Sequence, residues 1–246
     1  MITLQGVSKT YSKNKNKALD FINLTIPDGC IFGFLGPNGA GKTTTIKLIT
    51  GALEADGGTI SVDGHELPQA ALEAKRTIGY VPDNPELFTR LKGIEFLNFI
   101  ADLHGVDRDT RREAIEHYTT RFEIADVLSA RIGSYSRGMK QKLLICGSLI
   151  PDPHNWILDE PLVGLGPHAA FTLKELMRER ARAGKCVFFS THVMEVAEKL
   201  CDQLAIIKKG TIVFTGTLDE LKTLKGKDTS LESLFLELVE RGGEEA

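Results

Sequence analysis

Apolar positions follow three different rhythms along the chain. From residue 1 to about 82 they mostly alternate with polar ones: Ile22, Leu24 and Ile26 lead to Pro27-Asp28-Gly29, and Ile60 and Val62 lead to Asp63-Gly64. Alternation ended by turn residues predicts strands with one buried face. Ile31-Phe32-Gly33-Phe34-Leu35 is apolar throughout, as a parallel strand covered on both faces requires. Thr44-Thr45-Ile46-Lys47-Leu48-Ile49 follows, apolar at helical spacing until Gly51.

From about 84 to 150 the rhythm is helical. Ile94, Leu97, Ile100 and Leu103 recur at three-residue steps, and Met139, Leu143, Cys146, Leu149 and Ile150 mark another apolar face. Between Trp156 and Phe214 strands and helices alternate. Trp156-Ile157-Leu158 is followed by a helix through Phe171 to Ala183 ended by Gly184, then by Val187-Phe188-Phe189 and Leu204-Ala205-Ile206-Ile207. Such alternation predicts a parallel sheet with helices on its faces, and the helical block then reads as an insertion into one α/β core. Thr217 with Glu220 and Thr229 with Glu232 are capping-box pairs, predicting two short helices in the tail. The chain carries no internal repeat and no low-complexity linker.

Composition narrows the class. At 246 residues, 42% hydrophobic and 26% charged, the chain can bury one substantial core or two smaller ones. A net charge of −3 and the lack of a basic stripe give no pull towards nucleic acid or anionic lipid. Cys30, Cys146, Cys186 and Cys201 have no C-x-x-C spacing. They predict four buried thiols in a reducing compartment and no zinc site. Met1-Ile2-Thr3-Leu4 opens into strand-like alternation rather than a leader. Unbroken apolar stretches stay below the ~20 residues of a membrane helix, so any membrane-spanning part must come from another chain.

Two clusters carry chemistry. Gly36-Pro37-Asn38-Gly39-Ala40-Gly41-Lys42-Thr43-Thr44 lies between a buried strand and a helix start. That order makes a nest of backbone N–H groups at a positive helix terminus, a site for the phosphates of a nucleoside triphosphate. Lys42 can reach the β/γ-phosphates and the Thr43 hydroxyl can ligate magnesium. Trp156-Ile157-Leu158-Asp159-Glu160-Pro161 sets two carboxylates at the end of a buried strand, where parallel sheets place ligands. Asp159 is the candidate for magnesium, usually held through water, and Glu160 the candidate to orient or deprotonate an attacking water.

In this order the motifs resemble the nucleotide-binding subunits of ATP-binding cassette (ABC) transporters, over nearly the whole chain. Tyr11 matches the aromatic that stacks on adenine, Gly36–Thr44 the Walker A loop and Val81-Pro82-Asp83 the place of the Q-loop. Tyr135-Ser136-Arg137-Gly138-Met139 matches the signature, Trp156–Pro161 Walker B, Gly164-Leu165-Gly166-Pro167 the D-loop and Ser190-Thr191-His192 the switch histidine. The resemblance implies a P-loop NTPase (RecA-like) parallel-sheet core with an N-terminal antiparallel β-subdomain and an inserted α-helical subdomain. It implies a single ABC ATPase domain over 1–246: core and β-subdomain in 1–82 and 151–215, helical signature subdomain in 84–150, helical tail in 216–246.

For the site, the resemblance implies ATP with Mg²⁺ bound by Tyr11 and the Gly36–Thr44 loop. Thr43, Asp159 and Asp83 are the metal candidates; Glu160, His192 and Lys42 are the catalytic ones. Ser136, Arg137, Gly138 and Met139 are expected to cap the nucleotide of a second cassette, in a homo- or heterodimer. A separate integral-membrane permease, docked near the Asp83 segment and the helical block, is the other expected partner, which places the chain at the cytoplasmic face of a membrane. Nucleic acid is not expected. Three departures matter: Asp83 stands where the family has glutamine, Gly166 replaces the D-loop aspartate, and Arg137 and Met139 alter the signature. Tyr-Ser-x-Gly-Met-Lys-Gln resembles a variant common among exporter-type cassettes. The alternatives are a soluble ABC-type ATPase acting on ribosomes or DNA, and a regulator that no longer hydrolyses; intact Lys42, Asp159, Glu160 and His192 argue against the latter.

Overall fold

The computed structural model describes residues 1–11, 17–84, 88–225 and 231–240. Alternating residues form β1 (Ile2–Thr10) and β2 (Lys17–Ile26); the all-apolar run forms β3 (Ile31–Leu35), followed by α1 (Lys42–Ile49). Then come β4 (Gly57–Val62), β5 (His65–Leu67), α2 (Ala71–Arg76) and β6 (Ile78–Val81). The helical block contains α3 (Gly93–Leu103), α4 (Arg108–Arg121) and α5 (Arg137–Leu149). The chain returns to the core in β7 (Asn155–Asp159), α6 (Pro167–Arg182), β8 (Cys186–Thr191), α7 (Met194–Leu200), β9 (Gln203–Lys208) and β10 (Thr211–Gly216). It ends in α8 (Leu218–Lys225) and α9 (Leu231–Glu240).

Two sheets result. One is antiparallel, in the order β2-β1-β4-β5; the other has the order β10-β9-β3-β8-β7-β6, parallel except for the β10 edge. The Asp20 N–H donates to the Gly210 carbonyl, linking β2 to the β9–β10 turn. In the parallel sheet, period 2 sends Phe32, Phe34, Ile157 and Phe188 into the core shared with the antiparallel sheet and α1. Trp156, Leu158, Val187 and Phe189 face the opposite core, beneath α5 and α6. Trp156 joins three elements there: its Nε1–H donates to Ser148 Oγ (2.9 Å) on α5, and the Arg180 guanidinium of α6 lies 5.9 Å from its ring centre. A two-pronged ion pair from Arg121 to Glu179 (2.7 and 2.9 Å) ties α4 to α6.

Register, more than composition, places the site. Leu35 pairs with Thr191 and Ile206, Asp159 with Ser190, and Val81 with Leu158. The C-terminal ends of four parallel strands thus share one edge, and Gly36, Asp83, Glu160 and His192 all leave the sheet there.

Some expectations need correction. The stretch to residue 82 includes the helix α2, and α6 starts at Pro167, well before Phe171, because proline's fixed φ suits a first helical position. Leu103 is 65% exposed rather than on the buried face of α3. Three-residue steps lag a helix of 100° per residue by about 60° each, so Leu103 has rotated away from the face centred on Leu97. Three cysteines are buried, but Cys201 is only half-buried; its thiol nonetheless packs so tightly that a Cβ on Gly33 would come 2.4 Å from its sulfur. Burial raises all four thiols, Cys30 to about 11, so none is a ready nucleophile. The Thr217–Glu220 capping box forms, with reciprocal bonds of 2.7 and 3.2 Å, whereas Thr229 lies outside the described residues. Among the described residues no helix is long and apolar enough to cross a membrane.

Candidate functional site

The loop after β3 folds back on itself. Gly41, the N-cap of α1, adopts φ 116°, and a Cβ there would meet Leu19 Cδ2 at 2.7 Å and the Ala18 carbonyl at 2.9 Å. Glycine alone fits that conformation and that approach. Lys42, buried to 7% exposure, donates from Nζ to the carbonyls of Gly36 (2.8 Å) and Pro37 (3.3 Å). Its ammonium therefore lies against the start of the loop. Ala40 is buried, and its carbonyl accepts from the Gly210 N–H (2.9 Å), tying the loop to the β9–β10 turn.

Opposite the loop stand the carboxylates of the β7 end. Thr43 Oγ1 donates to Asp159 Oδ2 (2.8 Å), and Ser190 Oγ donates to Asp159 Oδ1 (2.6 Å). Glu160 takes φ 48°, and its Oε1 lies 3.0 Å from His192 Nδ1 and 3.6 Å from Lys42 Nζ. A cavity of about 420 Å³ lies between, lined by Asn38, Gly39, Gly41, Lys42, Thr43 and Thr44 on one side and Glu160 and Asp83 on the other. Tyr11 closes one end, its hydroxyl 3.3 Å from Thr44 Oγ1.

Asp159 is 1% exposed, and its carboxyl is pushed above the usual range, first by burial and then by the charges of Asp83 and Glu160, against the bonds from Ser190 and Thr43. The carboxylates of Asp83, Asp159 and Glu160 converge here, with Lys42 beside Glu160 and with Lys17 at the cavity already bonded to Asp20. That excess of negative charge, beside a threonine hydroxyl, suits a hard divalent cation with oxygen ligands. The residues present therefore fit magnesium.

Tyr11, Asn38, Gly39, Gly41, Lys42, Thr43, Thr44, Asp83 and Glu160, all singled out from sequence, meet in this cavity. Gly36, Pro37, Ala40, Asp159, His192 and the signature residues do not line it, Asp159 and His192 being bonded to the lining residues Thr43 and Glu160. Ser136 caps α5, its Oγ accepting from the Met139 N–H (3.2 Å). Gly138 lies against the Gly164 carbonyl, where a Cβ would come within 2.8 Å, and the aliphatic part of Arg137 lies beside Gly164. Lys17 and Ala18 also line the cavity, with Lys17 Nζ donating to Asp20 Oδ1 (2.6 Å). Sequence reasoning missed both because only the approach of β2 to Gly41 brings them there. It also passed over Ser190 as a site residue, because only the β7–β8 register sets its hydroxyl beside Asp159.

A parallel sheet with a glycine loop, a buried lysine and paired carboxylates at one edge defines a P-loop nucleotide-binding unit. Residues 19–163 match the family described as ABC transporter. The chain is 34% identical over 245 residues to the ABC transporter ATP-binding protein NatA of Bacillus subtilis, covering 98% of this chain and 99% of that protein. It is 33% identical to the daunorubicin/doxorubicin resistance ATP-binding protein DrrA of Streptomyces peucetius, over 92% of this chain and 68% of that one. A solved ATP-binding subunit of an ABC transporter superposes with a TM-score of 0.92 at 31% identity, covering 97% of this chain and 99% of that chain. The chain belongs to the ABC transporter family. It is an ATP-binding, ATP-hydrolysing motor subunit of a transporter, and the alternatives of a ribosome- or DNA-directed ATPase and of a non-hydrolysing regulator fall away.

Proposed function

We propose that this subunit drives export through a separate membrane permease, closing with a second cassette, identical or different, around ATP. One observation carries the reading of the site: Lys42, Thr43 and Glu160 line a single cavity, with Thr43 bonded to Asp159 and Glu160 to His192, while Ser136–Met139 of the same chain do not line it. A helix-capping serine and the free N–H groups of a first turn suit an anion. With the chain's own phosphate loop already facing one nucleotide, the fitting anion is the γ-phosphate held by the partner cassette.

In this reading the Gly36–Thr44 loop and Lys42 bind the phosphates, Tyr11 stacks on adenine, and Thr43 and Asp159, with Asp83, hold magnesium. That ion, when bound, screens the phosphate charge and helps orient the β- and γ-phosphates. Glu160 takes a proton from the water that attacks the γ-phosphorus. As the new P–O bond forms, the bond to the β–γ bridging oxygen breaks and its electron pair leaves with ADP. His192, bonded to the Glu160 carboxylate, orients it and can donate to the γ-phosphate. The residues form one ATPase domain, its helical insertion at 84–150 and its tail at 216–246.

Export is favoured by the Tyr-Ser-Arg-Gly-Met-Lys-Gln signature and by the likeness to a drug-resistance subunit. Membership of a transporter family supports a separate permease partner, and with it a position on the cytoplasmic side of the membrane that permease spans. Lys42→Ala tests the site directly. Losing a charge-assisted contact of about 1.5–3 kcal/mol should weaken MgATP binding at least about tenfold and abolish turnover. Hydrolysis at the wild-type rate would overturn the assignment of the loop.

A further inference from the structure

Asp159 and Glu160 are consecutive, and consecutive residues of a strand point to opposite faces. Glu160 nonetheless lines the cavity, while Asp159 is joined to it through Thr43, because the chain leaves the strand at Glu160 in a left-handed conformation (φ 48°) disfavoured for any residue with a Cβ. Something must hold that turn, and the neighbouring strand supplies it. Ser190 lies directly across from Asp159 in the β7–β8 register and is fully buried. Its hydroxyl accepts from the Glu160 backbone N–H (3.0 Å) and donates to Asp159 Oδ1 (2.6 Å).

The two bonds use both capacities of a hydroxyl, one proton given and one lone pair filled. The carboxylate so held accepts from Thr43 with its other oxygen, and the backbone so held belongs to the residue whose carboxylate meets His192. Glu160 is thus gripped at both ends by the Ser190–His192 segment: at its amide by Ser190, at its carboxylate by His192. An aliphatic side chain at 190 would leave a partly buried N–H unpaired and free the carboxylate to rotate.

We propose that Ser190 is a positioning residue for hydrolysis, its hydroxyl fixing the Asp159 carboxylate towards Thr43 and the Glu160 turn towards the reacting phosphate. The proposal rests on the roles given above to Asp159 and Glu160. It makes the strand-end serine a part of the reaction apparatus rather than a spacer ahead of the histidine.

The test compares wild type, Ser190→Ala and Ser190→Thr in steady-state ATP hydrolysis. Alongside it, Mn²⁺ binding is followed by electron paramagnetic resonance in the ATP-bound Glu160→Gln background, where no turnover occurs. Groups that orient metal-holding carboxylates change affinity or activity by about 10–100-fold, so Ser190→Ala should lower kcat by that factor and weaken Mn²⁺ binding comparably. KM for ATP should move less than about threefold, because the loop and Lys42 are untouched. Ser190→Thr, which keeps the hydroxyl, should recover most of both losses. If Ser190→Ala does not fold, Ser190→Cys, of similar size but a weak donor, carries the same expectation with an intermediate loss. A folded Ser190→Ala with wild-type kcat and Mn²⁺ affinity would overturn the proposal while leaving the proposed function standing. Threonine no better than alanine would do the same. A wild type that cannot hydrolyse MgATP would overturn both.

Discussion

The phosphate loop and the signature are both helix starts, yet the chain treats them differently. Lys42 and its neighbour Thr43 are tied both within the loop and to other strands: to the Gly36 carbonyl, to the Glu160 carboxylate, and through Thr43 to the Asp159–Ser190 pair. Around Ser136 the hydroxyl is bonded, among the described residues, within its own turn, to Met139 N–H. The first site is assembled by the register of one sheet; in the proposed reading the second is a half-site completed by a surface from outside the chain. The signature is not loosely placed, however, since Gly138 packs on the Gly164 carbonyl. A rigid but unaccompanied anion site is what a composite, two-subunit active site requires of each half.

Breaking the half-site should have the largest effect. Ser136→Arg puts a long side chain where the partner's γ-phosphate is to sit. Hydrolysis should fall by about 10²-fold or more, as expected when a positioned group is displaced by even an ångström or so. Binding of a fluorescent ATP analogue to the isolated subunit should be unchanged, because Lys42 and its loop are intact. Equal loss of binding and hydrolysis would mean that both regions belong to one site within the chain.

The buried carboxylate of the first site gives a smaller, pH-dependent effect. Burial, with the charges of Asp83 and Glu160, holds the Asp159 carboxyl above its ordinary value. The folded, metal-free protein therefore binds that proton more tightly than the unfolded chain. This group favours folding increasingly as pH falls through the raised value towards the ordinary carboxylate range, and the advantage is lost as pH rises. Without metal or nucleotide at pH 7, Asp159→Asn should melt about 2–4 °C above wild type, the shift that about 1 kcal/mol gives in a chain of this size. The gap should close near the pH where a free aspartate protonates. A variant that melts lower at pH 7 would show that the bonds from Ser190 and Thr43 outweigh the burial cost.

The same contrast separates what the sequence made legible from what it did not. The β3 strand, the loop to Thr44 and the Asp159–Glu160 pair could be read because local spacing carries them: an all-apolar run, glycines at turns, carboxylates at a strand end. Lys17 and Ala18 could not be assigned to the cavity, nor Ser190 to Asp159, because their positions follow from strand pairing between distant segments. Leu103 was misplaced by treating a three-residue step as a helix face, an error that grows along the helix. α2 was hidden inside a stretch dominated by alternation. The signature stood out only through likeness to a family, since a serine-capped helix has no intrinsic reason to face a nucleotide that its own chain does not hold.

The central claim is that two such chains share each nucleotide, with Glu160 on one side and Ser136 of the other chain opposite. Light scattering after size-exclusion chromatography of Glu160→Gln tests it most directly, since removing the base leaves ATP bound and uncleaved. With MgATP the 27.0 kDa subunit should elute at twice its mass, with ADP it should not, and adding Ser136→Arg should return it to the monomer. An ATP-dependent dimer that survives Ser136→Arg would contradict the account.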